Sequence, residues 1–273
     1  MPALHLSRRP GWAPLPALEL TFLSAQAGIA LPEPIIEDVV AREVLRTGDL
    51  EIIGRMPWSS NATFLCEISD DAGHKLLAIY KPRRGERPLW DFAEGTLCQR
   101  ETAAATVSAM LGWSLIPDTV LRDGPVDVGS VCRFYDHDPE QHYFEIFAGR
   151  EDTFRRFAAF DVIVNNTDRK GGHVLLDERG NVWGIDHGVC FHEQYKLRTV
   201  IWEFAGEPLP PAIIDDIQRF AVALDQVAMC VELTALLSPA EFVALQRRTE
   251  RLLHLGRFPV PSGDYHDYPW PTI

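Results

Sequence analysis

Residues 161–191 read DVIVNNTDRKGGHVLLDERGNVWGIDHGVCF, a stretch in which two polar loops flank a short apolar hairpin. Apolar residues at 174–176 and 182–185 predict two strands. The polar residues between them, which include Gly180-Asn181, predict the turn. Because a hairpin returns the chain on itself, we expect the two polar loops to lie side by side.

Each polar loop carries an aspartate, Asp168 in the first and Asp186 in the second. Magnesium-nucleotide phosphoryl transfer needs two convergent carboxylates, because one orients and deprotonates the acceptor hydroxyl while the other holds the metal. Aspartate is also common in turns and at strand ends for structural reasons alone. The pair by itself leaves both interpretations open.

Composition and charge indicate a soluble globular protein. The chain has 273 residues, 46% hydrophobic and 24% charged, a length that suits two lobes around a cleft. Its formal net charge of −13 disfavours nucleic acid and anionic membranes as primary partners. No apolar run reaches the roughly 18 residues of a membrane span. The five scattered cysteines indicate buried thiols in a reducing compartment, so we expect a cytoplasmic protein.

Strands dominate the first half of the chain and helices dominate the second, which predicts an α+β fold in two lobes. A helix is expected at about 95–111, and apolar residues recur at helical spacing through 212–237. Ser238-Pro239-Ala240-Glu241 is a capping box that opens a last helix, ending at Gly256. The predicted strands are 50–54, 62–68, 75–80, 118–122 and 129–135. The expected divisions are an extension of uncertain order at 1–33, an N-lobe at 34–135, a C-lobe at 136–257 and a C-terminal tail at 258–273.

Three features of the N-lobe could serve a nucleotide. Ser59-Ser60-Asn61 lies between the first two strands, where backbone N–H groups and hydroxyls can turn towards a phosphate. Lys81 ends the third strand and can reach phosphate oxygens as a point charge. Glu101 lies in the following helix, where it could pair with Lys81. Each feature is also typical of an ordinary turn, strand end or helix surface.

Taken in order, these features resemble the phosphoinositide 3- and 4-kinases, the type II 4-kinases above all, which share a protein-kinase-like fold. Those enzymes have a Ser-rich loop, a Lys-Pro pair and an acidic residue in the next helix. The chain is more similar still to an uncharacterised actinobacterial-type family identified as phosphatidylinositol 3/4-kinase-like, over about residues 37–210. The segments similar to the phosphoinositide kinases are LGWSLIPDT at 111–119, NTDR at 166–169 and IDHGVCF at 185–191. Those similar to the actinobacterial-type family are GERPLWDF at 85–92, DRKGGH at 168–173 and KLRTV at 196–200.

The resemblance implies a phosphotransferase that uses ATP and Mg²⁺ or Mn²⁺. Asp168, with Arg169 beside it, would be catalytic, and Asp186 would bind the metal. Lys81, held by Glu101, would bind the nucleotide phosphates. The other nucleotide-binding positions would be Ser59, Ser60 and Asn61 over the phosphates and Cys132, Arg133 and Phe134 at the adenine hinge.

One position departs from the lipid-kinase pattern. Those enzymes have a metal-binding asparagine five residues after the catalytic aspartate, and here that position is His173. A neutral imidazole suits zinc, manganese or iron better than magnesium. His173 could therefore ligate the metal in an altered geometry. Alternatively, it could hydrogen-bond to a residue that ligates the metal.

Three functions stay open. The favoured one is phosphoryl transfer to a hydroxyl of a soluble protein or small molecule, because the segment after Asp186 lacks the basic, membrane-facing character that a lipid substrate needs. The second is a nucleotide-binding pseudokinase or protein-interaction module, and the retained lysine and acidic residues argue against it. The third is nucleotidyl transfer on the same fold.

Overall fold

The computed structural model describes residues 38–56, 59, 61–263 and 265–273. The predicted extension at 1–33 and Ser60 of the predicted phosphate loop lie outside the described residues.

The first half of the described chain forms a five-stranded antiparallel sheet with the order β1-β2-β3-β5-β4. All five predicted strands are present, within about two residues of their expected ends. In chain order they are β1 (Asp49–Arg55), β2 (Phe64–Ser69), β3 (Lys75–Pro82), β4 (Thr119–Asp123) and β5 (Val128–Arg133).

Two helices pack against this sheet. Helix α1 (Asp38–Thr47) buries Val44 and Leu45 in one core with residues of the sheet. Helix α2 (Leu97–Met110) joins the larger core through a run of alanines. The first N–H groups of α2, which no earlier turn can bind, donate to the carboxylate of Glu86 at 3.1 and 2.8 Å.

The second half is mostly helical around one large aromatic core, which confirms the predicted α+β architecture. The helices are α3 (Tyr143–Ile146), α4 (Glu151–Val164), α5 (Pro211–Leu224), α6 (Val227–Leu236) and α7 (Pro239–Leu255). The core takes in Phe154 and Phe157 of α4 and Phe220 of α5. The predicted capping box opens α7, with Glu241 N–H donating to Ser238 Oγ at 3.3 Å.

The apolar spacing through 212–237 does not form one continuous helix. Gln226 is extended, with φ −100° and ψ 106°, and this residue separates α5 from α6. Periodicity alone did not reveal the break, because both helices bury apolar residues in the same core. Among the described residues, none of the helices combines the length and hydrophobicity of a membrane span. All five cysteines are free thiols.

The predicted hairpin is present as β6 (Val174–Leu176) and β7 (Val182–Gly184). Its turn is built around Asp177, a carboxylate that is only 6% exposed. Asp177 accepts hydrogen bonds from the backbone N–H groups of Arg179 and Asn181 and from Trp183 Nε1 at 2.9 Å. Burial raises the pKa of Asp177, but these hydrogen bonds outweigh it and leave that pKa below its ordinary value.

Replacing Asp177 with alanine should lower the free energy of unfolding by about 2 kcal/mol at pH 7, because it leaves buried donors unpaired. The pKa of Asp177 is lower in the folded chain than in the unfolded one, where it is about 3.9. Its stabilising effect is therefore complete above that value and is lost as the pH falls through the folded pKa. Urea unfolding at pH 7 and below pH 4 measures both effects.

The control is Glu178→Ala, a change at the exposed neighbour. It should alter the free energy of unfolding by less than about 0.5 kcal/mol. Equal effects of the two substitutions, or an Asp177 effect that does not shrink in acid, would contradict this account of the turn.

Candidate active site

A cleft of about 320 Å³ lies between the sheet and the β6–β7 hairpin. Ile79 and Lys81 of β3 line it from the sheet, and Val174, Trp183 and Asp186 line it from the hairpin and the loop that follows. Residues that are more than 100 positions apart in sequence therefore face one space.

Lys81 joins the two sides of this cleft. Its Nζ lies 3.0 Å from Glu101 Oε1 and 3.0 Å from Asp186 Oδ1, so the predicted pair with Glu101 is present and a second carboxylate completes it. Burial lowers the pKa of Lys81, but the charges of Asp186 and Glu101 outweigh it and hold the pKa above its ordinary value. The ammonium is therefore charged at neutral pH.

Asp186 follows β7 in a left-handed backbone conformation, with φ +62°. Aspartate is one of the few residue types that adopt this conformation readily, and strained backbone of this kind clusters at functional sites. The side chain is 52% exposed. The charge of Lys81 lowers the pKa of Asp186 more than burial raises it, so the group is a carboxylate.

His173 faces the same carboxylate, with Nε2 at 3.5 Å from Asp186 Oδ2. Burial lowers the pKa of His173, so the imidazole is neutral, and its buried Nδ1 has no hydrogen-bond partner among the described residues. A neutral imidazole and a carboxylate that face each other fit a divalent cation. The described residues contain no cluster of three or more His, Cys, Asp or Glu that could hold an ion alone. Phosphate oxygens and water would have to complete the coordination.

Asp168 stands at the start of the loop that carries Gly172 and His173, but unlike them it does not line the cleft. Its backbone N–H donates to Asn166 Oδ1 at 3.0 Å, which fixes the turn that presents the carboxylate. Burial raises the pKa of Asp168, the positive charge of Lys170 opposes this, and the nearby charge of Asp186 adds to the rise. The two aspartates therefore lie near enough for their charges to interact, although of the two Asp186 alone lines the cleft.

Lys170 contacts Asp168, although no role was predicted for it from the sequence. Its Nζ lies 3.1 Å from Asp168 Oδ2, and its side chain is 20% exposed. The sequence does contain a signal for this contact, because Lys170 follows Asp168 by two positions in a loop that must turn back on itself.

Arg169 requires a correction to its predicted catalytic role. The side chain is fully buried, and its Nη2 pairs with Asp161 Oδ1 at 3.0 Å. Its Nη1 also donates to the carbonyl of His173 at 3.2 Å. The side chain does not line the cleft and instead ties the loop to helix α4.

His187 binds this arginine from the second loop. The ring is fully buried, and its Nε2 lies 2.6 Å from Arg169 Nη2. Burial, and then the charge of Arg169, hold the pKa of His187 well below its ordinary value. The ring is therefore neutral, and Nε2 accepts a hydrogen bond from the guanidinium. One arginine thus connects both polar loops.

The predicted phosphate loop divides into residues that face the cleft and one that does not. Ser59 lines the cleft, and its hydroxyl lies 2.7 Å from that of Thr63. Asn61 does not line the cleft, because its Oδ1 accepts the backbone N–H of Arg87 at 2.8 Å. The predicted nucleotide contact of the Asn61 side chain is therefore replaced by a structural one.

The predicted hinge residues Cys132, Arg133 and Phe134 all line the cleft. Burial raises the pKa of the Cys132 thiol to about 12, which excludes thiolate chemistry there. The next residue, Tyr135, was not predicted to contribute. Its ring stacks on that of Trp183, with centroids 4.5 Å apart and an interplanar angle of 7°.

The fold is similar to that of two solved structures of the Golgi casein kinase. The first matches with a TM-score of 0.51 at 12% identity, over 80% of this chain and 75% of that one. The second, which has Mn/ADP bound, matches with a TM-score of 0.51 at 13% identity, over 86% of this chain and 80% of that one. The predicted kinase-like fold is thereby confirmed.

No protein-family model matches the chain, so its resemblance to the phosphoinositide kinases stays a prediction. The sequence is 40% identical over 265 residues to "Protein Rv2133c" of Mycobacterium tuberculosis (strain ATCC 25618 / H37Rv). That match covers 84% of this chain and 94% of the mycobacterial protein. The chain therefore belongs to the family of Protein Rv2133c.

Proposed function

We propose that this protein is a phosphotransferase that uses ATP and a divalent metal to phosphorylate a hydroxyl of a soluble protein or small molecule. The observation that carries the proposal is the position of Lys81 Nζ, 3.0 Å from both Glu101 and Asp186. An ammonium held by two carboxylates at a cleft is poised to bind the phosphates of a nucleotide.

The shape of the cleft supports a nucleotide as the ligand. Its volume of about 320 Å³ is within the range of small-molecule sites. Apolar side chains such as Ile79 and Leu175 and the stacked pair Tyr135 and Trp183 offer flat surfaces to an adenine ring. The Golgi casein kinase, which has a similar fold, has been solved with Mn/ADP bound.

The proposed reaction needs one group that accepts a proton and one positively charged group that neutralises the phosphoryl oxygens. An acceptor hydroxyl oxygen forms a bond to the γ-phosphorus of ATP, the bond from that phosphorus to the β,γ-bridging oxygen breaks, and ADP leaves. Asp168 takes the hydroxyl proton, as its raised pKa favours for a general base. Lys170, 3.1 Å from this carboxylate, is placed to neutralise phosphoryl charge beside it.

Asp186 and His173 are the residues that would hold a divalent metal. When bound, such an ion would neutralise charge on the nucleotide phosphates. Asp186 is also in contact with Lys81, so the same carboxylate would orient both the metal and the ammonium. Membership of the phosphatidylinositol 3/4-kinase-like group is part of this proposal, whereas a lipid acceptor is not.

Replacing Lys81 with methionine should weaken the binding of Mn-ADP at least about tenfold, or about 1.4 kcal/mol, because the phosphates lose their charge partner. Isothermal titration calorimetry measures the affinity. Lys75→Met is the matched control, since Lys75 lies on the same strand with its side chain 54% exposed. Equal affinities of the two variants for Mn-ADP would show that Lys81 does not bind the nucleotide.

Replacing Asp168 with asparagine should reduce phosphoryl transfer about 100-fold or more, because the general base is lost. Mn-ADP affinity should stay within twofold of the wild type. Asp152→Asn is the control, since that side chain is 94% exposed. The measurement is label transfer from ATP labelled at the γ- or the α-phosphate.

The two labels also separate the alternative functions. Transfer of the α-label would show that the reaction is nucleotidyl transfer and not phosphoryl transfer. Mn-ADP binding without transfer of either label would favour the pseudokinase. Transfer by the Asp168 variant at the wild-type rate would show that Asp168 is not the general base.

Replacing His173 with asparagine should shift metal preference towards magnesium, because an amide oxygen is a harder ligand than an imidazole nitrogen. We expect the ratio of the Mg²⁺ and Mn²⁺ concentrations that give half-maximal ADP binding to fall about tenfold. His142→Asn is the control, because His142 lines the same cleft without an ion pair to Asp186. An unchanged ratio would mean that His173 does not ligate the metal.

A further inference from the structure

A segment at the end of the described chain lies against the candidate active site. We call residues 267–273 the strap. The carbonyl of Thr272 accepts the N–H of Gly171 at 2.7 Å. The carbonyl of Asp267 accepts the N–H of Thr199 at 3.2 Å and Trp202 Nε1–H at 3.3 Å. The strap is therefore fixed to the loop that carries Asp168 and to the segment after Asp186.

Of the two glycines of the DRKGGH motif, Gly171 is the one packed too tightly for a side chain. A Cβ on Gly171 would lie 2.7 Å from the Phe144 ring and 3.4 Å from the Thr272 carbonyl oxygen. A Cβ on Gly172 would lie 3.8 Å from Ile273 Cγ2. The ring of Phe144 in particular packs on the backbone of Gly171 at a distance that a side chain there would prevent.

The strap and the nucleotide cleft meet the catalytic loop at different surfaces. Gly172 and His173 line the cleft, whereas Thr272 and Ile273 contact the glycines from outside it. Gly171 is three residues from Asp168, so the two lie within about 11 Å even if the chain between them is extended. The entering and leaving oxygens of phosphoryl transfer are roughly in line, so an acceptor approaches Asp168 from the side away from the nucleotide.

We propose that the strap walls the acceptor side of this site and restricts the acceptor to a small hydroxylated molecule. The inference rests on the proposed phosphotransferase function and chooses between its two acceptor classes. An extended polypeptide commonly binds by pairing its backbone with exposed N–H and C=O groups. At this loop the N–H of Gly171 is already bound to the strap. A small molecule needs no such pairing to bring one hydroxyl to Asp168.

The test compares a polypeptide acceptor with small ones in the wild type and in a chain truncated after Tyr268. The truncation removes Thr272 and Ile273 but keeps the Asp267 contacts. The full-length control is Trp270→Ala, because Trp270 lies in the removed part and is 90% exposed. The probes are dephosphorylated casein, myo-inositol and water, each with γ-labelled ATP. Mn-ADP affinity is measured in every variant.

We expect the wild type and Trp270→Ala to transfer phosphate to myo-inositol or water at least tenfold faster than to casein. Truncation should raise the casein rate at least tenfold and leave Mn-ADP affinity within twofold. A second, full-length variant, Gly171→Pro, removes the N–H that donates to the Thr272 carbonyl and should produce the same gain. This variant tests the proposal if the truncated chain is unstable.

Rapid casein labelling by the wild type would overturn the inference, and this result does not depend on how any variant folds. Normal Mn-ADP binding with casein still excluded from both variants would also overturn it, while leaving the proposed function intact. A wild type that binds no Mn-ADP would overturn the proposed function and the inference together.

Discussion

The buried ion pair between Arg169 and Asp161 is the interaction on which the candidate active site depends. Both side chains are fully buried, and an isolated buried charge costs several kcal/mol. The pair is stable because its remaining groups are also bound. Asn166 and Thr199 donate to the carboxylate at 3.0 and 3.1 Å, and His187 accepts from the guanidinium. Loss of one member would therefore release both polar loops and the segment at residue 199.

Local patterns in the sequence predicted some of the residues that meet at the cleft, among them Lys81, Glu101 and Asp186. Lys81 ends a strand, Glu101 lies in the next helix, and one hairpin separates Asp168 from Asp186, as the structure has them. Each placement depends on a strand, a helix or a turn whose own residues specify it. Their order along the chain predicted an α+β fold in two lobes, and the resemblance to the phosphoinositide kinases implied the kinase-like fold.

Side-chain direction and contacts between distant segments were not predictable in the same way. Arg169 adjoins Asp168, yet its side chain turns inward to a carboxylate on α4. Asn61 follows Ser59 in a polar loop, yet it binds the backbone at Arg87. The sequence around a polar loop residue does not show which group will be its hydrogen-bond or ion-pair partner. That depends on packing between elements far apart in sequence.

Helix α2 links the helical half of the protein to Lys81 of the sheet. Successive residues of a helix point about 100° apart, so Arg100 and Glu101 face different partners. Glu101 holds Lys81 at 3.0 Å, whereas Arg100 forms an ion pair with Glu241 of α7 and donates to the carbonyl of Cys190 at 2.8 Å. The carboxylate that orients Lys81 is thus anchored, through its neighbour, to the helical half of the chain. A rotation of α2 that broke the Arg100 contacts would also withdraw Glu101 from Lys81.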